Sequence, residues 1–341
     1  MNASIIGLDL AKSIFQVHGE DGQGRIVFQK QLRRSQVEPF FAKHPRCVVA
    51  MEACGSAHHW GRTIASLGHE VRLIPAAYVK PFVRRNKTDA RDAAAICAAT
   101  GRPDMRYVAL KSVAQQAMRA VERGRELLVK QQTQLSNCVR GLLTELGIVA
   151  AQGRRGFAEL RALVEASDAR VPELLRTTLQ ELMRQLDGLA EGIGRLEARI
   201  VATAKQDPRM RRLCTIPGIG ALTAHAIVAA IGDGRRFDTA RDFAAWAGLT
   251  PRESSSGGKT TKLGISRQGE RRLRALFALG ASTIIRNVRA SQGRATPWQH
   301  GILARRPVKV AVLAQAAKTA RIAWAILVSG ETYRPALPAA A

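Results

Sequence analysis

Acidic residues are scarce in this sequence of 341 residues, which has 27 aspartates and glutamates against 53 lysines and arginines. The formal net charge of +26 raises the free energy of the isolated compact chain, because its cations repel one another. An excess of this size is typical of proteins that neutralise phosphates. The scarcity of acids therefore predicts a nucleic-acid partner.

Cysteine is scarce as well, and its spacing does not suit a metal. The five cysteines are scattered and include no C-x-x-C pair, which argues against a disulfide framework and a zinc site. His58 and His59 are weak ligand candidates for the same reason, since no cysteine or histidine lies at zinc-site spacing from them in the sequence. We expect reduced thiols in a cytosolic protein. The cysteines are Cys47, Cys54, Cys97, Cys138 and Cys214.

Long hydrophobic runs are also missing. No uninterrupted apolar run approaches the roughly 18 residues of a membrane span, and the chain opens with a strand-like segment instead of a basic amphipathic helix. The length allows two or three domains with ample cores. The sequence predicts a soluble cytoplasmic protein, associated with the nucleoid and without a membrane partner.

The first part of the chain alternates between strand and helix patterns. Apolar or alternating segments predict five strands, and amphipathic segments between them predict helices. The order, three strands and then helices alternating with strands, is similar to that of the ribonuclease H-like fold, in which the first and fourth strands are neighbours. The predicted strands are 4–10, 14–19, 25–32, 47–52 and 70–74, and the predicted helices are 37–43, 58–67 and one from residue 90.

Four carboxylates occupy special places in this pattern. Asp9 and Glu52 lie at the ends of the first and fourth strands, and Asp89 and Asp92 share one face of a helical first turn. Clustered carboxylates repel one another unless a cation joins them, so we predict a site for Mg²⁺ or Mn²⁺. The alternative for each residue is a solvated strand end or helix cap.

Two lysines lie close to these acids in sequence. Lys12 follows Asp9, and Lys87 precedes Asp89. Both are candidates for phosphate contacts, and a solvated lysine is the alternative for each.

The middle of the chain predicts two long helices. Residues 112–146 and 171–205 have apolar residues at three- and four-residue spacing and no internal proline, which predicts an antiparallel hairpin or coiled coil with a tip at 150–156. The seam packs either within one chain or between subunits. It consists of Leu179, Leu182, Leu186, Leu189, Ile193, Leu196 and Ile200.

A glycine-containing turn opens the last third. Residues 213–220, followed by a predicted helix at 221–231, resemble a helix-hairpin-helix. Gly218 and Gly220 would let the backbone approach a phosphate at the helix N-terminus. A plain turn between helices is the alternative.

Residues 251–309 form the most basic segment, with thirteen lysines and arginines against two acids. A polar loop is predicted after Gly248, then helices at 265–289 and 308–328 and a disordered tail at 335–341. In this positive field a serine alkoxide attacking a phosphodiester would be stabilised, although Ser254, Ser255 and Ser256 also suit a linker. The predicted nucleic-acid contacts of this part are Arg252, Lys259, Lys262, Arg267, Arg271 and Arg272.

Taken together, these motifs resemble the DEDD-type insertion-sequence transposases, the family that includes the pilin-gene DNA invertases. The resemblance covers nearly the whole chain, and Cys54 replaces a more usual threonine. The matching segments are GLDLAK at 7–12, MEACG at 51–55, NKTDARDA at 86–93, IPGIG at 216–220, AGLTPR at 247–252, SGG at 256–258 and ISRQG at 265–269.

The resemblance implies an α/β plus α architecture. A RuvC-like ribonuclease H-fold domain (1–110) would precede a helical coiled-coil spacer (111–206), a mainly α-helical transposase domain with a helix-hairpin-helix (207–330) and a tail (331–341). It also implies that Asp9, Glu52, Asp89 and Asp92 hold Mg²⁺ and that Ser256 forms a covalent phosphoserine link to DNA. Ser254 and Ser255 are competing nucleophiles.

The resemblance also implies partners: donor and target DNA, a structured guide RNA and further copies of the chain in a dimer or tetramer. We hypothesise that the acids and the serine meet between subunits, because the helical arms are long. The competing interpretations are a RuvC-like nuclease that hydrolyses DNA with a metal-activated water, and a non-catalytic nucleic-acid-binding protein.

Overall fold

The computed structural model describes residues 2–83, 88–290 and 295–335. The chain forms two compact units, Met1–Val113 (unit 1) and Ala114–Ala341 (unit 2). The three-domain division stays a prediction, and Lys87 and most of the predicted tail lie outside the described residues.

Unit 1 contains a mixed five-stranded sheet in the order β3-β2-β1-β4-β5. The pairs β1–β2 and β2–β3 are antiparallel, whereas β1–β4 and β4–β5 are parallel. The prediction that the first and fourth strands are neighbours is confirmed, with Leu8 beside Met51. The strands are β1 (Ile5–Asp9), β2 (Ile14–Glu20), β3 (Ile26–Arg33), β4 (Val48–Glu52) and β5 (Glu70–Ile74).

Helices cover both faces of this sheet. Because successive strand residues point to opposite faces, Val49 and Met51 join one core cluster with Phe41 and Trp60, whereas Ala50 packs in another. The second cluster includes Ile96 and the rest of the buried face of α4, so α4 defines one face of the sheet. The helices are α1 (Val37–Lys43), α2 (Ala57–Ser66), α3 (Ala76–Val79) and α4 (Asp89–Thr100).

A glycine lets α4 lie directly on β1. A Cβ atom at Gly7 would lie 2.2 Å from the carbonyl oxygen of Ala93 and 3.0 Å from Sγ of Cys97. No larger residue fits there unless the helix moves away from the strand. Gly7 therefore fixes the distance between the end of β1 and the first turn of α4.

Unit 2 begins with the two predicted long helices, α5 (Val113–Thr144) and α7 (Glu173–Gln206). They run antiparallel, because Gly124 faces Leu196 while Gly192, earlier in α7, faces Leu128. The predicted helical hairpin is confirmed. The seam is tightly buried at Leu179, Leu186 and Ile200 and only partly buried between Leu189 and Leu196.

The tip of the hairpin is better ordered than the sequence predicts. A helix, α6 (Arg154–Glu165), begins inside the segment 150–156 that was predicted as a loose tip. Its Leu160 and Val164 form a separate core with Val139 and Leu143 of α5. The glycines in this segment suggested a loop, but the apolar spacing after Gly156 makes an amphipathic helix.

The remaining helices of unit 2 include α9, whose residues 223–231 are all buried. By length and composition one described helix, α13, could cross a membrane, but its Ala311, Ala316 and Ala320 are fully buried inside unit 2. This packing is that of a core helix. These helices are α8 (Pro208–Leu213), α9 (Ala221–Ile231), α10 (Ala240–Trp246), α11 (Arg271–Ala290), α12 (Pro297–Arg305) and α13 (Val308–Ser329).

Two sequence predictions for residues 250–270 are wrong. The predicted polar loop is a β-hairpin, β6 (Pro251–Ser256) and β7 (Lys259–Ile265), because Gly257 and Gly258 take φ values of +55° and +75° that suit a two-residue turn. The helix predicted from residue 265 begins at Arg271, since Arg267 and Gly269 have left-handed backbone conformations.

Candidate active site

Two of the predicted acids lie side by side on the sheet. Asp9 ends β1 and Glu52 ends its parallel neighbour β4. Gly7 and Ala50, two residues earlier on each strand, both lie on the α4 side. By strand alternation the side chains of Asp9 and Glu52 point to that same side.

The first turn of α4 brings the other two acids to this edge. Thr88 is the N-cap residue, and its side chain accepts a hydrogen bond from the backbone N–H of Arg91 at 3.4 Å. Carboxylate oxygens of Asp9, Asp89 and Asp92 lie within 4.8 Å of one another. Glu52 is not part of this group of three, although it ends the adjacent strand.

The negative charge at this edge affects the pKa of Cys54, two residues after Glu52. Burial raises the pKa of the Cys54 thiol, and the negative charges of Glu52 and Asp9 raise it further. The thiol therefore stays protonated at neutral pH and is a poor nucleophile.

The donor set suits a hard divalent cation. Asp9, Asp89 and Asp92 offer only oxygen atoms, the ligand type that Mg²⁺ and Mn²⁺ prefer. The partial positive charge at the start of α4 offsets their mutual repulsion only in part. Convergence of three carboxylates thus fits a bound cation better than it fits three solvated caps.

A second polar cluster in unit 1 escaped sequence reasoning, because its members come from distant segments. His18 Nε2 lies 2.9 Å from Glu20 Oε1, and the thiol of Cys97 donates to the carbonyl oxygen of His18 at 3.2 Å. Burial raises the pKa of Cys97 to about 12. These contacts join α4 to β2 and have a structural role.

The three candidate serines lie on the exposed hairpin of unit 2. Ser254, Ser255 and Ser256 pair with Thr261, Thr260 and Lys259 of β7. Ser255 Oγ lies 3.2 Å from Thr260 Oγ1. Because side chains alternate, Ser254 and Ser256 share the opposite face from Ser255. Ser256 lies next to the glycine turn and opposite a lysine.

The predicted basic contacts fall into two groups. Arg252, Lys259, Lys262, Arg267 and Arg271 are exposed on or beside the hairpin.

Arg272 is partly buried and ion-paired, because its guanidinium lies 3.5 Å from Glu122 Oε2 and 3.1 Å from Glu126 Oε2. Its side chain is 17% exposed, less accessible than the other five cations, and its nucleic-acid contact stays a prediction. It anchors α11 to α5.

One of the two glycines in the turn before α9 is needed for packing. Gly218 has φ +81°, and a Cβ there would lie 3.1 Å from the carbonyl oxygen of Gly280 in α11. Gly220 caps α9 and has open space around it. The helix-hairpin-helix assignment and its phosphate contact stay predictions.

Known proteins are similar to this chain over nearly its whole length. A model for DEDD-type IS110 transposases matches residues 6–148, and the model described as the transposase IS116/IS110/IS902 family matches residues 210–296. The chain is 47% identical to a probable family 20 transposase of Pseudomonas aeruginosa, over 98% of this chain and 100% of that protein. It is 38% identical to the transposase for insertion sequence element IS1328 of Yersinia enterocolitica, over 97% and 99% of the two chains.

A shorter similarity links the chain to an inverting protein. The pilin gene-inverting protein of Moraxella bovis is 43% identical over 23% of this chain and 25% of its own length. Both family models and the full-length relatives agree with the resemblance drawn from the sequence motifs. The chain therefore belongs to the IS116/IS110/IS902 family of transposases, enzymes that cleave and rejoin DNA.

Proposed function

We propose that this transposase cuts and rejoins DNA through Ser256, assisted by a divalent cation, Mg²⁺ in the first place, at Asp9, Glu52, Asp89 and Asp92. The observation that carries the proposal is the convergence of Asp9, Asp89 and Asp92. The ends of β1 and β4, with the capped start of α4, make this one edge of unit 1. We propose that unit 1 has a ribonuclease H-like fold.

The acids have a binding role in this mechanism. Asp9, Asp89 and Asp92 would hold the cation between them, and Glu52 would complete the set from the adjacent strand. A bound cation would supply positive charge against the negative charge that develops on the phosphate during strand transfer. The rigid attachment of α4 to β1 at Gly7 keeps these carboxylates in place without reorganisation.

Ser256 supplies the covalent step. Its Oγ attacks the phosphorus and loses its proton, while the bond between phosphorus and the leaving deoxyribose oxygen breaks and that oxygen takes up a proton. The phosphodiester energy is kept in the phosphoserine, so rejoining needs no external energy source. Lys259, across the hairpin from Ser256, adds positive charge beside the reacting phosphate.

The surface around the hairpin supports nucleic-acid binding. Arg252, Lys259, Lys262, Arg267 and Arg271 are exposed cations, and contacts of this kind bind the backbone without reading sequence. We propose that a structured RNA pairs with donor and target DNA and that pairing selects the site. Protein side chains then need not specify the target.

The role of the acids is tested by Asp9→Asn, with Glu38→Gln on α1 as a matched exposed control. We expect Asp9→Asn to lower Mn²⁺ affinity, measured by electron paramagnetic resonance, and to slow DNA strand transfer by about 10³-fold or more. The substrate is DNA carrying the element's junction, with RNA transcribed from its flank. Equal Mn²⁺ binding and activity in Asp9→Asn and Glu38→Gln would refute the acidic centre.

Assembly is tested by mixing two inactive chains. Asp9 belongs to unit 1 and Ser256 to unit 2, and we propose that the acids of one subunit act with the serine of another. A mixture of Asp9→Asn and Ser256→Ala chains, co-assembled before assay, is then expected to recover strand transfer that neither has alone. Subunit exchange is verified by co-purification of two different tags. No recovery in verified mixed oligomers would place both functions within one subunit.

A further inference from the structure

A basic groove lies at the edge of the sheet beside Asp9. Its volume is about 680 Å³, and none of the described residues that line it is a carboxylate. Sequence reasoning identified only Lys12 among its residues. The lining residues are Lys12, Ser13, Ile14, Arg33, Arg34 and Ser35.

Strand pairing fixes the position of this groove relative to the acids. Asp9 ends β1, and the turn that follows contains Lys12 and leads into β2 at Ile14. Ile14 pairs with Arg33, at the end of β3. The groove therefore crosses the same edge of the sheet, and neighbouring strands about 4.8 Å apart place β3 about 10 Å from β1.

Arg34 is held in place although it is exposed. Its guanidinium carbon lies 5.2 Å from the ring centre of Trp60 and 5.8 Å from that of Phe15. Its Nη1 donates a hydrogen bond to the carbonyl oxygen of Lys12 at 3.3 Å. Cation–π contacts and this hydrogen bond fix an arginine fork, which otherwise loses much conformational entropy when it binds a phosphate. The fork is therefore preorganised for an oxyanion.

An apolar side chain accompanies these cations. Ile14 is 49% exposed and lines the groove between Lys12 and the arginines. Alternating phosphates and apolar sugar carbons are the surface that a nucleic-acid strand offers to such a groove. A groove for a small free anion would not need the isoleucine.

We propose that this groove binds the phosphodiester backbone of the DNA strand whose phosphate is held at the acidic centre. The inference rests on the proposed function of that centre and adds the path of the strand. Arg34 packs on Phe15 and Trp60, on the face of the sheet opposite α4, so the strand would pass from the acids over this edge to reach it. The contacted phosphates then lie a few nucleotides from the reacting one. Lys12 contacts the backbone between these positions.

The test compares Arg33→Ala/Arg34→Ala with Lys43→Ala. Lys43 is an exposed lysine at the end of α1, ahead of the start of β4 and so toward the opposite edge of the sheet. For the double variant we expect the slope of log binding constant against log salt to become shallower by about 0.9 for each lost phosphate contact. Lys43→Ala leaves the slope unchanged. Arg34→Lys keeps the charge and loses the guanidinium fork, so we expect its DNA affinity to lie between those of the wild type and the double variant. It also serves as a control in case the alanine variant does not fold.

A neutral DNA linkage locates the contact. In the wild type, a methylphosphonate scanned through the phosphates on both sides of the cut weakens binding where it replaces the contacted phosphate. In Arg33→Ala/Arg34→Ala the same linkage does not lower the DNA affinity further, whereas a remote linkage lowers the DNA affinity of both proteins equally. If the two changes are fully additive at every position, or if only RNA binding is weakened, the proposed path is wrong.

The two proposals fail in different ways. If Asp9→Asn abolishes strand transfer and Arg33→Ala/Arg34→Ala behaves like Lys43→Ala, the groove inference is overturned and the acidic centre stands. If the acids prove dispensable while the salt slope still depends on Arg33 and Arg34, the proposed function fails and the groove remains a nucleic-acid site.

Discussion

Covalent attachment of the protein to DNA is expected to fall by about 10⁴-fold or more in Ser256→Ala, the loss typical when a nucleophile is removed. Ser256 ends β6 beside the turn of Gly257 and Gly258, where the residue is exposed. Alanine keeps the strand and the turn but removes the only oxygen that can form the phosphoester at this position. Denaturing gel electrophoresis of a labelled DNA substrate measures the adduct.

The neighbouring serines provide matched controls within the hairpin. Ser255→Ala is expected to keep the adduct, because the Ser255 hydroxyl lies by Thr260 on the opposite face. Ser254→Ala tests the second serine on the face of Ser256. An adduct that survives Ser256→Ala and disappears in Ser254→Ala would move the nucleophile by two residues. Metal-dependent cutting without any adduct in the wild type would favour the hydrolytic nuclease.

Glu122→Ala is expected to lower the free energy of unfolding of unit 2 by about 3–5 kcal/mol, because it breaks a buried charge network. Glu122 is 2% exposed, and its Oε1 lies 2.7 Å from Nδ1 of the equally buried His225. Its Oε2 lies 3.5 Å from Nε of Arg272, and its carbonyl oxygen accepts from Nη1 of Arg272 at 3.2 Å. Removal of the carboxylate leaves the buried imidazole of His225 without this partner and takes from Arg272 one of its two carboxylates.

Urea unfolding followed by circular dichroism measures this loss. The control is Glu126→Ala, one turn further along α5, which removes a half-exposed carboxylate from the same arginine. We expect that change to cost less than about 1 kcal/mol. Similar stabilities for Glu122→Ala and Glu126→Ala would show that solvent reaches the network and that it does not anchor α9 and α11 to α5.

The places of the four acids in the strands and the helix could be predicted from sequence, because simple periodicity governs them. The alternation of side chains along β1 and β4 predicts that Asp9 and Glu52 point to the same side of the sheet. The three-residue spacing at the start of a helix predicts that Asp89 and Asp92 share one face. What sequence did not reveal is distance. Three carboxylates meet within 4.8 Å while Glu52 stays outside that group, and the close approach permitted by Gly7 depends on packing.

The less accurate predictions concern residues whose partners are remote. Arg272 has the pattern of a surface cation, yet its partner Glu122 is 150 residues earlier in the chain and buried. The segment from Pro251 to Ile265 has the composition of a linker, but paired strands are stabilised by contacts between side chains that no single segment contains. Lys12 was predicted as a phosphate contact because it is close to Asp9 in sequence. Arg34 lines the same groove only because β3 pairs with β2, which sequence spacing does not show.

The antiparallel arms have a mechanical consequence. With 32 residues, α5 is about 48 Å long, and dedicated cores hold it at both ends while the seam between is only half-buried. In α7 that stretch contains Gly188, Gly192 and Gly194, each of which weakens a helix by about 1 kcal/mol relative to alanine. The hairpin of α5 and α7 therefore bends most easily at its centre, whereas the packed cores keep its two ends rigid.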